Sequence, residues 1–325
     1  MNTVANLIDK TLEATVAPSF TRVGIGVRER VFDWTPLERL SMTGKTVAIT
    51  GVTSGIGRAA AEAMASLGAN LVLIGRDEEK MQRVQSELSQ RAAAAGSVSY
   101  ALADLGVLEQ VHDAATAVSE RHHELHGLIH NAGALFNERR IADDGMELTT
   151  KVQVVAPFLL TSLLMPNLTA GRGRVLTMSS GGMYTAGLTV SSLQMPEDTY
   201  SGTQQYARAK RAQVTLNEMW AERHGDSGVA FHALHPGWVD TPGVSSALPG
   251  FGKVLGPLLR SPEQGADTLV WLAAAPLGAI QPNGSFWHDR QIRPIHRLSS
   301  TRKTDTPERR DELWTWTAQA AGVAD

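Results

Sequence analysis

After an apolar run at Thr46–Thr50 the chain reads Thr50-Gly51-Val52-Thr53-Ser54-Gly55-Ile56-Gly57, then enters a helical pattern at Arg58–Leu67. Three glycines placed there let the backbone turn tightly, approach a pyrophosphate and seat the helix against the strand. The helix N-terminus adds free N–H groups and the positive end of its dipole. A bare glycine pattern is a weak signal. Its place between a first strand and a first helix gives it weight, although the spacing is G-x-x-x-G-x-G rather than G-x-G-x-x-G.

The same alternation continues along the chain. Further strand-like runs fall at Leu71–Ile74, Val98–Leu102, Leu128–His130, Arg174–Met178 and Val229–Leu234. Helical stretches lie between them, at Glu78–Ala95, Leu108–His122, Leu148–Leu164 and Tyr206–His224. This spacing predicts an α/β fold: a single doubly wound parallel sheet of Rossmann type with helices on both faces. Residues 1–43 form an N-terminal extension, expected to be helical. Residues 44–298 form the Rossmann-type domain, and 299–325 a C-terminal helix packed on it. Ser261-Pro262 and Thr306-Pro307 each read as an N-cap followed by proline at the first helical position.

Composition narrows the function. The 325 residues include 30 Lys and Arg, 33 Asp and Glu, and no Cys. A net charge of −3 gives no electrostatic reason to expect nucleic-acid binding. Without Cys there are no disulfides, cysteine-ligated zinc, iron–sulfur clusters or thiol nucleophiles. Met1 to Lys10 lacks a basic stretch followed by an apolar one, so no secretory signal is expected and the location predicted is cytoplasmic. The longest apolar stretch, Val152–Leu168, is interrupted by Gln153, Pro157, Thr161, Ser162 and Asn167 and reads as a buried helix. Val4, Leu7, Ile8 and Leu12 fall at helical spacing. That helix packs on its own domain or a partner, or rests weakly on a membrane surface, its polar face carrying Asp9, Lys10 and Glu13.

Further motifs follow the glycine turn in order. They are Asp104-Leu105, Asn131-Ala132-Gly133, Ser179-Ser180, Tyr206-Ala207-Arg208-Ala209-Lys210, and His235-Pro236-Gly237 through Val239 to Thr241. Together these resemble the short-chain dehydrogenase/reductase superfamily over about residues 44–290. The stretches around Ser180, Trp238 and Thr241 look closest to the branch called dehydrogenase/reductase family member twelve. The resemblance implies a nicotinamide dinucleotide held by Gly51, Thr53, Ser54, Gly55, Ile56 and Gly57. Asp104 and Leu105 would lie at the adenine, and Asn131, Ala132 and Gly133 would support the cofactor. Pro236, Gly237, Val239 and Thr241 would lie beside the nicotinamide. Helices Leu148–Leu164 and Tyr206–His224 are the family's usual subunit contact, implying a homodimer or homotetramer that the terminal extensions could block or replace.

Gly75 occupies the strand end where an acidic residue would hydrogen-bond a ribose 2′-OH, and Arg76 follows. A guanidinium can pair with a 2′-phosphate, which favours NADP(H) over NAD(H). Asp77 could pair with Arg76 instead, and Arg58 is a second candidate for the phosphate.

Tyr206 and Lys210 stand one helical turn apart and can meet. A neighbouring ammonium would bring the phenol within reach of acid/base work on a carbonyl/alcohol pair. Ser180 would donate to the substrate oxygen, with Ser179 and Tyr200 as decoys. Lys210 would also hold the nicotinamide ribose, as the resemblance implies. Gln153 stands where the family carries a fourth catalytic residue, an Asn whose carbonyl holds a relay water. Pro157 has no N–H and would leave the Gln153 carbonyl unpaired to take that water.

On the substrate side, the long segment Leu188–Gln205 is expected to overhang the site, and Thr241–Pro257, with Leu248, Phe251 and Leu255, to form an apolar lid. An apolar carbonyl or alcohol is the expected substrate. His122, His123 and His126 cluster without a second ligand group, and no metal is expected. His130 and His235 are read as structural. Two functions remain open: an NADP(H)-dependent oxidoreductase, supported by Ser180, Tyr206 and Lys210, and a catalytically weak NADP(H)-binding scaffold, favoured only by Gln153.

Overall fold

All five positions of β1 (Thr46–Thr50) are buried, as expected of a strand covered on both faces. The computed structural model describes residues 3–93, 95–243, 250 and 255–324. The other strands are β2 (Asn70–Gly75), β3 (Val98–Leu102), β4 (Gly127–His130), β5 (Arg174–Met178), β6 (Ala230–Leu234), β7 (Phe286–His288) and β8 (Gln291–Ile292). They form one sheet in the order β3-β2-β1-β4-β5-β6-β7-β8, parallel except for β8. The order reverses between β1 and β4, where a doubly wound sheet opens its ligand crevice. Each expected strand falls within one residue of its predicted limits.

Two strands were not foreseen. β7 and β8 are too short to alternate, and the hairpin between them lacks glycine. Asp289 and Arg290 both take φ of 53° there, the left-handed pair that a two-residue hairpin demands. Asp289 is held in place by Arg28 at 2.6 Å and Arg260 at 2.6 Å.

The N-terminal extension forms three helices, α1 (Thr3–Ala14), α2 (Val16–Phe20) and α3 (Arg22–Val31). Helicity agrees with expectation, but α1 is turned over. Val4 and Leu7 are 64 % and 66 % exposed, while Asp9 is buried and Glu13 half-buried. Ion pairing explains the inversion. Asp9 receives Arg28 at 2.7 Å and Arg293 at 2.6 Å, and Glu13 pairs with Arg28 at 2.7 Å and with Arg297. Buried arginines require carboxylate partners, and α1 supplies them.

Helices α4 (Gly55–Ser66), α5 (Glu78–Arg91) and α6 (Leu108–Arg121) follow the first three strands. A longer helical run then spans 23 residues, Leu148–Ala170. It consists of α7 (Leu148–Thr150), a π-helical turn at Lys151–Val155 and α8 (Ala156–Ala170). This run is longer than the sequence suggested and apolar enough to span a bilayer, yet 67 % of its most apolar window is buried inside the protein. The Ala156 N–H donates to the Lys151 carbonyl five residues back. Pro157 directly follows, and its missing N–H fits a ladder that loosens there.

The remaining helices are α9 (Gly202–Arg223), α10 (Pro262–Ala274), α11 (Ser299–Lys303) and α12 (Pro307–Ala321). Ser261 and Gln264 form a reciprocal capping box at α10, and Thr306 caps α12. α12 lies across α8 and α9, with the Trp314 ring 4.9 Å from Phe158 and 4.8 Å from Trp220. The face expected to meet another subunit is thus covered by the chain's own C-terminal helix.

Candidate active site

The glycine turn and the end of β4 are built as one unit. Gly51 has φ of +74°, and a Cβ there would lie 2.7 Å from the Ala132 Cα. Asn131 Nδ2 donates to the carbonyls of Thr50 at 3.1 Å and Gly51 at 3.0 Å. The Thr50 hydroxyl accepts from the backbone of Asn131 at 3.1 Å and Ala132 at 3.0 Å. Ser54 begins α4 without a side-chain capping bond, so its hydroxyl does not occupy the first amides. Thr53 and Ser54 are exposed on the turn, and Gly57 is buried. A Cβ on Gly55 would lie 3.1 Å from Thr241 Cγ2, and one on Gly265 would reach Val239 and Ile56. The segment after β6 therefore closes over the glycine turn. Uncapped amides and backbone too close for side chains suit a dinucleotide pyrophosphate.

At the adenine side, Asp104 accepts from the Gly106 N–H at 2.8 Å, and Leu105 packs against the core. Arg76 is 74 % exposed and pairs with Asp104 at 3.3 Å. Asp77 is not its partner, because Asp77 caps α5 and pairs with Lys80 at 2.8 Å. Arg58 is held by Glu62 and Glu87, both at 2.7 Å, and is not directed to a phosphate.

The end of β5 and the first turns of α9 carry the candidate reactive groups. The Ser180 side chain neighbours the Tyr206 phenol and favours its ionised form, and Ser180 Oγ accepts from the Gly182 N–H at 3.2 Å. Ser179 is buried and donates to the Lys210 carbonyl at 3.2 Å, a structural contact. Lys210 Nζ donates to the Met178 carbonyl at 2.8 Å and lies 5.4 Å from the Tyr206 ring centre. Gly133 sits between two of these groups: a Cβ there would lie 3.4 Å from both Lys210 Nζ and Gln153 Oε1. Gln153 is fully buried, and its Nε2 donates to the Ala134 carbonyl at 2.7 Å. Ser180, Tyr206, Lys210, Gln153 and Gly133 thus converge at the same end of the sheet as the glycine turn.

Electrostatics correct one expectation. Burial raises the Tyr206 pKa above its ordinary value of 10.0, and the neighbouring Ser180 hydroxyl only partly offsets this. Burial lowers Lys210 from 10.5 to about 7. The ammonium therefore does not make the phenol acidic in the protein alone, because desolvation drives both groups toward their neutral forms.

Several other residues have plain structural roles. His130 is buried against Thr161 at 2.8 Å, and burial brings it to about 3. His235 accepts from the Gly237 N–H at 3.1 Å and shapes that turn. His126 accepts from the Thr46 N–H at 3.1 Å. Tyr200 donates to Glu147 at 3.2 Å. In the long segment, Leu188, Val190 and Leu193 join the core cluster that contains Trp314, so it is packed rather than free. Leu248 and Phe251 of the expected lid lie outside the described residues. Sequence reasoning missed the Met178 carbonyl as the lysine's acceptor, since a backbone group leaves no mark in a motif. It also missed Phe20, which packs beside His235 with ring centres 4.4 Å apart.

The short chain dehydrogenase family model matches residues 45–249. The chain belongs to the short-chain dehydrogenase family. This dehydrogenase is 36 % identical over 275 residues to "Dehydrogenase/reductase SDR family member 12" of Bos taurus, covering 84 % of this chain and 85 % of that protein. That likeness supports the branch suggested by the motifs. It is also 36 % identical over 247 residues to "Polyprenol dehydrogenase" of Mus musculus, covering 72 % of each. Among solved structures, an uncharacterized protein from Mycobacterium paratuberculosis matches with a TM-score of 0.70 and 25 % identity, covering 89 % of this chain and 98 % of that one. L-sorbose reductase from Gluconobacter frateurii, complexed with NADPH and L-sorbose, shares the fold with a TM-score of 0.62, at 22 % identity and over 76 % and 95 % of the two chains. This dehydrogenase is an NAD(P)-dependent oxidoreductase.

Proposed function

We propose that the enzyme uses NADP(H) to interconvert a carbonyl and an alcohol on an apolar substrate. The observation that carries this reading is the grouping of Tyr206 with Lys210, 5.4 Å from its ring centre, and with Ser180 at the end of the sheet where the glycine turn lies. When bound, the nicotinamide supplies or accepts the hydride. Tyr206 carries the proton to or from the substrate oxygen, and Ser180 donates a hydrogen bond to that oxygen as charge develops. A phenol that burial keeps protonated is already in the form that carbonyl reduction needs. Lys210 holds the ribose and bridges Tyr206 to Gln153.

The Gln153 side chain, beside the main-chain carbonyl that Pro157 would free, takes the place of the family's Asn in the proton path. Its Oε1 has no hydrogen-bond partner among the described residues. Behind it lies a cavity of about 30 Å³, also lined by His130, Gln213 and Asn217, each with an unpartnered buried polar atom. A cavity of that size and polarity can hold an ordered water.

Arg76 supports NADP(H), because its exposed pair with Asp104 is weak enough to exchange for a phosphate. The apolar substrate class is supported by the likeness to polyprenol dehydrogenase. The packing of α12 against α8 and α9 supports an oligomer, if one forms, that uses another face. The exposed Val4, Leu7 and Lys10 fit a weak peripheral membrane contact of a cytoplasmic enzyme.

A panel of apolar aldehydes and ketones, assayed with NADPH and with NADH, tests this function. Turnover with NADPH is expected. Tight NADPH binding with no turnover across the panel would favour the scaffold reading, which Gln153 alone supports.

A further inference from the structure

We infer that the N-terminal segment is a working part of the active site, with Phe20 as a positioning residue for Ser180 and for the Pro236-Gly237 turn. This rests on the site assignment proposed above. Phe20 precedes the first strand by more than two dozen residues, yet it is only 3 % exposed and wedged between two loops of the catalytic end.

The first loop leaves β5. A Cβ on Gly181, the residue after Ser180, would lie 2.7 Å from Phe20 Cε2. The phenyl ring therefore fills the space a side chain would need there. The second loop leaves β6. The Phe20 carbonyl accepts from the Trp238 N–H at 2.7 Å, and a Cβ on Gly237 would lie 2.6 Å from that same oxygen. One residue thus braces both the serine that would orient the substrate oxygen and the turn that would seat the nicotinamide.

Its own position is fixed from below. Arg28 and Arg260 both donate to the Ser19 carbonyl, at 3.1 Å and 2.9 Å, and Arg260 Nε donates to the Thr21 carbonyl at 3.2 Å. Asp289 joins the two guanidiniums at 2.6 Å each. Both arginines are fully buried. Two buried charges locked on the carbonyls that flank Phe20 hold the ring at one depth. Filling core volume alone would not require a hydrogen bond accepted by this segment from the cofactor turn. A shift of about 1 Å in a reacting group can cost a hundredfold in rate, so such bracing has a catalytic consequence.

Within the proposed site the contacts described for Phe20 lie at the nicotinamide end, and this makes it testable apart from stability. Full-length wild type, Phe20→Ala, Phe20→Leu and Gly181→Ala are titrated with NADPH and with 2′-phospho-ADP-ribose, which lacks nicotinamide. NADH and ADP-ribose are used as a second pair. Phe20→Ala is expected to weaken the intact dinucleotide about tenfold, to leave the truncated one within about twofold and to lower kcat more than it raises KM. Phe20→Leu should recover most of the loss, and Gly181→Ala should reproduce it by pushing against the ring. Should Phe20→Ala fail to fold, the other two variants decide. Equal weakening of both nucleotides, or a lower Tm with unchanged dinucleotide affinity, would overturn the inference. A wild type that binds dinucleotide without turnover would count against the proposed reaction and leave the titrations decisive here.

Discussion

Lys210 holds its Nζ 5.4 Å from the centre of the Tyr206 ring while donating to the Met178 carbonyl at 2.8 Å. The lysine is fully enclosed, and burial brings it from 10.5 to about 7. An ammonium kept in such a place is a burden on the fold.

That burden predicts a pH-dependent stability. Between pH 7 and 10.5 the unfolded chain keeps a proton that the folded protein has shed, so this residue makes stability rise with pH. Lys210→Met removes the cost. In the cofactor-free protein it should stabilise by about 2–4 kcal/mol near pH ~6, with a smaller gain near pH ~9.5, while abolishing turnover. Thermal unfolding at the two pH values checks this. A Tm that falls equally at both would contradict it.

Arg76 should decide between cofactors. Its contact with Asp104 is exposed and long for an ion pair, and Gly75 leaves no carboxylate at the strand end. Arg76→Ala should raise the Kd for NADPH about tenfold and change that for NADH by less than about twofold. Equal changes for both would assign Arg76 to the surface alone.

The proton path should depend on Gln153. Gln153→Ala is expected to slow kcat about tenfold with a changed solvent isotope effect, and Gln153→Asn to recover most of the rate. NADPH affinity should stay near that of wild type in both. Unchanged kcat and isotope effect in Gln153→Ala would remove this residue from the path.

The ion cluster beneath α1 should make the N-terminal helices acid-sensitive. Burial opposes the charges on Asp9, Glu13 and Asp289, but paired arginines, with His288 first for Glu13, outweigh it and leave all three pKa values lowered. Their contribution is therefore complete above the unfolded values near ~4 and lost as pH falls through the folded ones. Arg28→Ala takes one arginine partner from each of Asp9, Glu13 and Asp289 and should cost about 3–5 kcal/mol. Denaturant unfolding at neutral pH measures it, and a loss below about 1 kcal/mol would contradict the pairing.

Most of the parallel sheet could be read from the sequence, because strands buried on both faces leave continuous apolar runs such as Thr46–Thr50. The hairpin at Asp289-Arg290 could not. Its left-handed pair depends on Arg28 and Arg260, which lie far away in the chain. The inversion of α1 was hidden for the same reason, since periodicity marks a helix's two faces without saying which one meets buried charge. The grouping of Ser180, Tyr206 and Lys210 was legible because the proposed chemistry needs their side chains at fixed spacing. The direction of the Tyr206 shift was not, because it follows from burial, which a motif does not report.

The central claim is that Tyr206 moves the proton at the substrate oxygen. Turnover of an apolar carbonyl by wild type and Tyr206→Phe, with NADPH affinity measured on both, tests it most directly. Tyr206→Phe should lower kcat by about 100-fold or more and leave NADPH affinity within about threefold. A Tyr206→Phe enzyme that keeps the wild-type kcat would contradict the account.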